Sequence, residues 1–204
     1  MNQERRAYNS PRREAQAQVT RGRLLDAARG LFADRGWAGT TLRAVADEAG
    51  VAEPTVYAVF GSKAGLAKAL LDVVDSEANV PELFRDLRVA ASPREQLVAV
   101  ARFERRLYDG ARDIVRMLHD GSRTNDELAA AYADGEARGE EGRRRVFETW
   151  APDVLREGVD IQHALDVSSL VFSFEAWELL TARGWTSDRI ADWCVDVLTR
   201  ELLA

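Results

Sequence analysis

Apolar side chains recur every three or four residues along most of the chain, a spacing that places them on one face of an α-helix. The first such stripe runs from Leu24 to Phe32, and Gly36 follows at a position where helices commonly end. The pattern predicts an all-α protein whose first helix ends near Gly36.

The second stripe is short and ends at a glycine. Its N-cap is Thr40 or Thr41, and Gly50 ends the predicted helix after about ten residues. Pro54 then suits the first turn of a third short helix, where its missing N–H costs little, and this helix is predicted to reach Phe60.

Two short helices joined by a tight turn predict a helix-turn-helix. Ala46 is small where the two helices would cross, and Gly50 supplies the turn. Val51 and Val56 would fill the angle between the helices. In such a motif the second helix enters the major groove of DNA with its N-terminal residues against base edges and phosphates. A fourth helix is predicted over residues 62–78.

The middle of the chain predicts a long helix that begins at Ser92 and Pro93. Further on, three glycines follow at steps of four and three, which favours close approach of another helix or a soft segment, with a loop as the alternative: Gly135, Gly139 and Gly142. Pro152 is expected to kink or restart the helix that carries Phe147 and Trp150.

The last third of the chain is apolar on more than one side. A helix over Ile161–Leu180 has more apolar surface than one core easily covers, and Thr186 caps a final helix with a single apolar stripe. Two such helices from each of two chains predict a homodimer. The residues expected at its interface are Leu170, Phe174, Trp177, Trp193 and Val197.

Composition and charge reduce the number of function classes that the chain could belong to. The net charge of −6 is unevenly divided, with +3 on residues 1–63 and −9 on residues 64–204. The arginines ahead of Leu24 predict either a solvated tail or an arm that reaches DNA. One cysteine, Cys194, and two histidines favour neither a disulfide nor a metal site, and we expect no cofactor. The absence of a long apolar run predicts a cytoplasmic protein with no membrane partner.

The segment "TTLRAVADEAGVAEPTVYAVFGSKAGL", which follows "LFADRGW", resembles the DNA-binding domain of the tetracycline-repressor (TetR) family of bacterial transcription regulators. The resemblance covers about residues 20–75, and "LLTARGWTSDRIADWCVDVLTRELL" is similar to the helix pair that closes many members. It implies a homodimeric repressor that a small-molecule effector releases from a palindromic double-stranded DNA operator.

The resemblance also assigns roles to single residues. Base-facing positions correspond to Arg43, Glu53 and Pro54, and phosphate-holding positions to Thr41, Thr55, Tyr57 and Lys63. Two positions depart from the family pattern, because Val59 stands where many members have histidine or tyrosine and Ala52 where a serine often caps the recognition helix.

The effector site implied by the resemblance would lie among large side chains in the middle of the C-terminal domain. The expected residues are Phe103, Leu107, Met117, Phe147, Trp150 and Phe172. Such stripes are also typical of a plain hydrophobic core.

The predicted organisation is all-α, with about nine helices. Residues 1–19 form a basic, flexible arm, residues 20–65 a three-helix helix-turn-helix domain, and residues 66–204 a larger helical domain for ligand binding and dimerisation. An all-helical enzyme is the alternative from another class, but no Ser-His-Asp pattern, HExxH motif or phosphate loop appears. A pure scaffold protein leaves the recognition-helix residues unexplained.

Overall fold

The structure is a computed structural model that describes residues 11–151 and 153–204, with backbone alone for residues 11 and 12. The described residues contain no strand beyond one isolated bridge between Leu155 and Leu203, which confirms the all-α prediction. They form ten helices, one more than expected: α1 (Pro11–Gly39), α2 (Leu42–Ala49), α3 (Glu53–Phe60), α4 (Lys63–Glu77), α5 (Val80–Val89), α6 (Pro93–Ser122), α7 (Asp126–Phe147), α8 (Ile161–Val171), α9 (Phe174–Ala182) and α10 (Ser187–Leu202).

The chain divides into two compact units, and the division falls inside α4. The first unit extends to Leu70, and the second comprises Leu71–Ala204. Each unit has a core of its own, because apolar stripes of its helices face one another.

The predicted flexible arm is wrong for residues 11–19, which form the first turns of α1. Pro11 suits a first helical position, and the residues that follow are mostly good helix formers with exposed side chains. Residues 1–10 lie outside the described part of the chain. Gly36, at φ 65° and ψ 179°, breaks the helical geometry near the end of α1, where the sequence predicts it.

The turn between α2 and α3 follows from its capping residues. Thr41 is the N-cap of α2, and its Oγ1 accepts a hydrogen bond from the Ala44 backbone N–H at 3.1 Å. Gly50 ends the helix in the left-handed conformation, at φ 68° and ψ 38°. Val56 is fully buried, so one side of α3 is fixed against the unit's core.

The second unit is organised around α6, which packs against α5, α7 and α10. The glycine-rich stretch is part of the continuous helix α7, so the alternative of a loop is wrong. Trp150 lies in the turn after α7 rather than on a helix, and Pro152 is outside the described residues.

The predicted single helix over Ile161–Leu180 is also wrong. α8 ends at Val171, and Ser173 starts α9 because its Oγ accepts from the Ala176 backbone N–H at 3.1 Å. The break redirects the side chains that follow it.

This break corrects two of the five predicted interface residues. Phe174 and Trp177 are 4% and 2% exposed, and their rings lie 6.2 and 4.8 Å from the ring of Tyr108 in the unit's own core. Leu170, in contrast, is 71% exposed, while Trp193 and Val197 are partly buried.

Gly65 permits the close approach of α4 to the end of α3. A Cβ at this position would overlap the carbonyl oxygen of Phe60, which is backbone and cannot rotate away. We expect Gly65→Ala to lower the free energy of unfolding by about 1–3 kcal/mol. The matched control is Gly30→Ala in α1, where a Cβ meets nothing within 4 Å and should add about 0.5–1 kcal/mol. Urea unfolding of both variants checks this, and equal effects would contradict it.

Candidate nucleic-acid interface and internal cavity

One face of α3 is held inward by Val56, which leaves the other face open to solvent. Pro54 is exposed and Tyr57 is 51% exposed, while Glu53 and Thr55 are partly buried. A large exposed phenol on a short helix offers a hydroxyl that can donate to an oxygen of a partner.

The N-terminal end of α2 adds two of the predicted residues. Arg43 and Thr41 are both exposed. Because Thr41 Oγ1 accepts from the Ala44 N–H, its own hydroxyl hydrogen is left to donate. Helix capping and a phosphate contact are therefore compatible at this residue.

Lys63 is placed differently from the other predicted residues. Its Nζ donates to the backbone carbonyl of Trp37 and lies 4.2 Å from the centroid of the Trp37 ring, and burial lowers the pKa of the ammonium group. A contact with phosphate requires this group to leave Trp37. Sequence reasoning missed Trp37, although it stands at the end of the quoted segment "LFADRGW".

The second unit contains a cavity of about 700 Å³ that is partly open to solvent and is lined mainly by residues of α4 to α7 and of the α8–α9 region. Of the six residues predicted around an effector, Phe103, Leu107 and Phe172 line it.

Met117, Phe147 and Trp150 are not among the lining residues, so the structure does not bring them to this cavity, and their contact with an effector stays a prediction. Phe147 is 1% exposed and packs on Trp150 at 4.8 Å, and the indole N–H of Trp150 donates to Gln96. Met117 is buried as well. All three are parts of the packed interior.

A buried polar cluster lies in the cavity wall. An Arg143 Nη1 hydrogen donates to Glu104 Oε1 at 3.3 Å, and Nη2 donates to Ser169 Oγ at 3.0 Å. The Tyr108 hydroxyl donates to the Phe172 carbonyl at 2.9 Å. These residues bridge α6, α7 and the α8–α9 region.

Glu104, Arg143 and Ser169 are not among the residues that the sequence predicts for a site. A signal for this cluster exists, since Glu104 lies between Ala101 and Tyr108 in the buried stripe of α6. A charge in such a stripe indicates a partner on the neighbouring helix.

Burial sets the electrostatics of the cavity wall. Burial raises the pKa of Glu104, and the charge and hydrogen bond of Arg143 partly oppose that rise. Burial also raises the pKa of Tyr108 and that of Tyr132. Outside the cavity, burial raises the pKa of Cys194 to about 12, which keeps this thiol protonated and unreactive near neutral pH.

Within residues 11–151 and 153–204, no group of three or more histidine, cysteine or acidic side chains is placed to hold a metal ion. Among the same residues, no helix is long and apolar enough to cross a bilayer.

Residues 24–70 match the model of the bacterial regulatory proteins of the tetR family. The HTH-type transcriptional repressor KstR2 of Mycobacterium tuberculosis is 36% identical over 88 residues, which cover 37% of this chain and 44% of that protein. The chain therefore spans less than half the length of this relative.

Solved structures extend the likeness to nearly the whole fold. A TetR-family regulator from Syntrophomonas wolfei superposes with a TM-score of 0.76 at 14% identity, covering 89% of this chain and 94% of that one. A regulator from Saccharomonospora viridis in complex with choline gives 0.72 at 21% identity, covering 92% and 99%. The chain thus matches the tetR-family model over residues 24–70 and shares the fold of these regulators.

The raised pKa of Glu104 predicts a pH-dependent effect on stability. Its stabilising contribution is complete below the unfolded pKa, near 4.5, and is lost as pH rises through the higher native pKa. Glu104→Gln imitates the protonated carboxyl and does not titrate, so we expect the stability difference between variant and parent to shift in the variant's favour as pH rises from about 4 to 7, whatever the constant cost of losing the Glu104 charge. Urea unfolding across this range measures the difference, with the exposed Glu127→Gln as control. If the free energy of unfolding of the variant minus that of the parent stays constant or falls as pH rises, the raised pKa of Glu104 is contradicted.

Proposed function

We propose that the chain is a cytoplasmic, homodimeric transcriptional repressor that leaves a palindromic operator when a small molecule binds its second unit. The observation that carries the proposal is the match of residues 24–70 to a family of regulatory proteins, over a segment whose α3 helix leaves Pro54 and Tyr57 exposed. This pairing of a family match with an open recognition helix favours DNA binding over catalysis.

The proposed contacts divide by chemistry. Arg43, Glu53 and Pro54 face base edges. A guanidinium binds guanine through two hydrogen bonds, and a carboxylate accepts from the amino group of cytosine. Phosphates are held by neutral donors and one cation, namely Thr41, Thr55, Tyr57 and Lys63. Phosphate contacts fix the position of the protein, whereas base contacts supply the specificity.

The proposed effector site is the cavity of the second unit. Its size suits a small organic molecule, and Phe103, Leu107 and Phe172 give it apolar walls. The likeness to a regulator solved with choline supports a ligand-binding role for this domain. An effector releases DNA only if it binds the non-operator state more tightly than the operator-bound state.

The proposed dimer surface is formed by α8 and α10. Leu170 is the most exposed of the predicted residues, and Trp193 and Val197 are partly buried. Leu179 on α9, which sequence reasoning missed, is 53% exposed. Exposed apolar side chains on neighbouring elements are typical of an association surface.

The DNA contacts are tested with a site selected by the purified protein from a random pool. Arg43→Ala should cost about 1–3 kcal/mol and relax one position in each half-site, because a base contact is lost. Tyr57→Phe and Lys63→Ala should lower the affinity for all DNA sequences by the same factor, because phosphate contacts are lost. Arg102→Ala, an exposed arginine of the second unit, is the control. Fluorescence anisotropy measures the affinities. An Arg43→Ala loss that is equal for selected and random DNA would show that Arg43 does not read a base.

The dimer surface is tested by adding a charge without disturbing the core. Leu170→Glu should yield a monomer in sedimentation velocity, because an unpaired carboxylate buried on both sides of a two-fold interface costs several kcal/mol. Val89→Glu is the matched control, since Val89 is 79% exposed on α5, a helix that contributes no residue to the proposed surface. A Leu170→Glu chain that remains dimeric, or a Val89→Glu chain that dissociates, would place the interface elsewhere.

A further inference from the structure

Trp37 holds the ammonium group of Lys63 through both its backbone and its ring. Lys63 Nζ donates to the Trp37 carbonyl and lies 4.2 Å from the centroid of the Trp37 ring. On the protein side, the ring of Phe32 stacks on the Trp37 ring with 5.4 Å between centroids, and Phe32 is 4% exposed. The indole is therefore a fixed surface on which the ammonium group rests.

The backbone of the first unit determines where this contact forms. Gly36 interrupts the helical geometry of α1 one residue before Trp37. Lys63 is the first residue of α4, whose first turn is stabilised because Ser62 Oγ accepts from the Gly65 backbone N–H at 3.0 Å. A cation is disfavoured at the N-terminal end of its own helix, whereas a carbonyl near the C-terminal end of another helix attracts it. The contact therefore joins the end of α1 to the start of α4.

This contact can be given up at low cost. The Trp37 carbonyl also accepts from the Thr40 backbone N–H at 3.3 Å, so it keeps a partner when Lys63 departs. Lys63 is only partly buried, and its flexible four-carbon side chain can turn the ammonium group toward solvent. Burial lowers the pKa of Lys63, because the charged form loses solvation beside Trp37. An anionic partner can therefore compete with Trp37 for this group.

We propose that Trp37 is a positioning residue that sets the strength of DNA binding through Lys63: it holds the ammonium group in the free protein and releases it to a DNA phosphate. A contact that exists only in the free state lowers the affinity for DNA by the free energy needed to break it. The release rests on the proposed function, whereas the contact in the free protein does not.

The release can be observed directly because the chain has two lysines, Lys63 and Lys68. The probe is a chain that carries ¹³C-labelled lysine, with the two ε-methylene signals assigned by Lys63→Met. In the free protein the Lys63 signal should lie upfield, since the aromatic ring of Trp37 shields nearby protons. Saturation with the selected DNA site should return this signal to the position of a solvated lysine. The exposed Lys68 is the internal reference.

Trp37→Leu removes the ring but keeps the carbonyl, and it should abolish the upfield shift of the free protein. It should also tighten selected and random DNA alike by about two- to fivefold, because a cation–π contact no longer has to be broken. The dependence of affinity on salt should stay at the parent value, since Lys63 still reaches a phosphate. Trp37→Phe keeps an aromatic ring and is the conservative control, with an affinity close to that of the parent.

A double-mutant cycle separates this role from simple packing. With Lys63→Met already present, Trp37→Leu should leave the DNA affinity unchanged, because no ammonium group remains to be released. A packing role for Trp37 would instead weaken DNA binding with and without Lys63. If Trp37→Leu does not fold, the Lys63 signal of the unmodified chain decides the question.

Three results would overturn the inference: no upfield shift of Lys63 in the free protein, a shift that persists at saturating DNA, or a Trp37→Leu effect that is the same with and without Lys63. DNA selection by the unmodified chain is scored separately. Failure to bind any DNA contradicts the proposed regulator and this inference with it. Sequence-selective binding with an unmoved Lys63 signal contradicts only the inference.

Discussion

The buried ion pair between Glu104 and Arg143 is the constraint on which the second unit depends. It joins α6 to α7 across an otherwise apolar interior, and Ser169 extends it to α8. Removing one partner of such a pair commonly costs about 3–5 kcal/mol, because the other charge is left buried alone. Two helices that must keep this pair together cannot slide past each other, and the three glycines of α7 leave a cavity beside it. The fold therefore maintains a space and a polar group within it at the same time.

The first unit depends on local capping and turn residues, which can be identified in the sequence. Thr41 caps α2, Gly50 adopts a left-handed conformation that favours glycine, and Val56 buries one side of α3. The cap, the turn glycine and the buried valine each favour locally the conformation that the folded unit adopts. The helices predicted from the sequence therefore agree with the structure in this unit. Lys63 is the exception, since its contact with Trp37 joins residues distant in sequence and leaves no periodic signal.

In the second unit the sequence predicts helices well and their contacts poorly. Ser173 interrupts an apolar run that reads as one helix, and this interruption turns Phe174 and Trp177 into the core instead of toward a partner. Large apolar side chains also do not distinguish a packed core from a cavity wall, which is why Phe103 lines the space and Phe147 does not. The decisive residues, Glu104 and Arg143, are charged and resemble surface residues until their burial is known.

We propose that the first unit recognises a particular DNA sequence. Fluorescence anisotropy of the unmodified chain, titrated into its selected site and into random DNA across a range of salt concentrations, tests this claim most directly. The account predicts that both affinities fall with rising salt as phosphate contacts are lost, while the selected site stays roughly a thousandfold or more tighter. Equal affinity for the two DNAs at every salt concentration, or no binding to either, would contradict it.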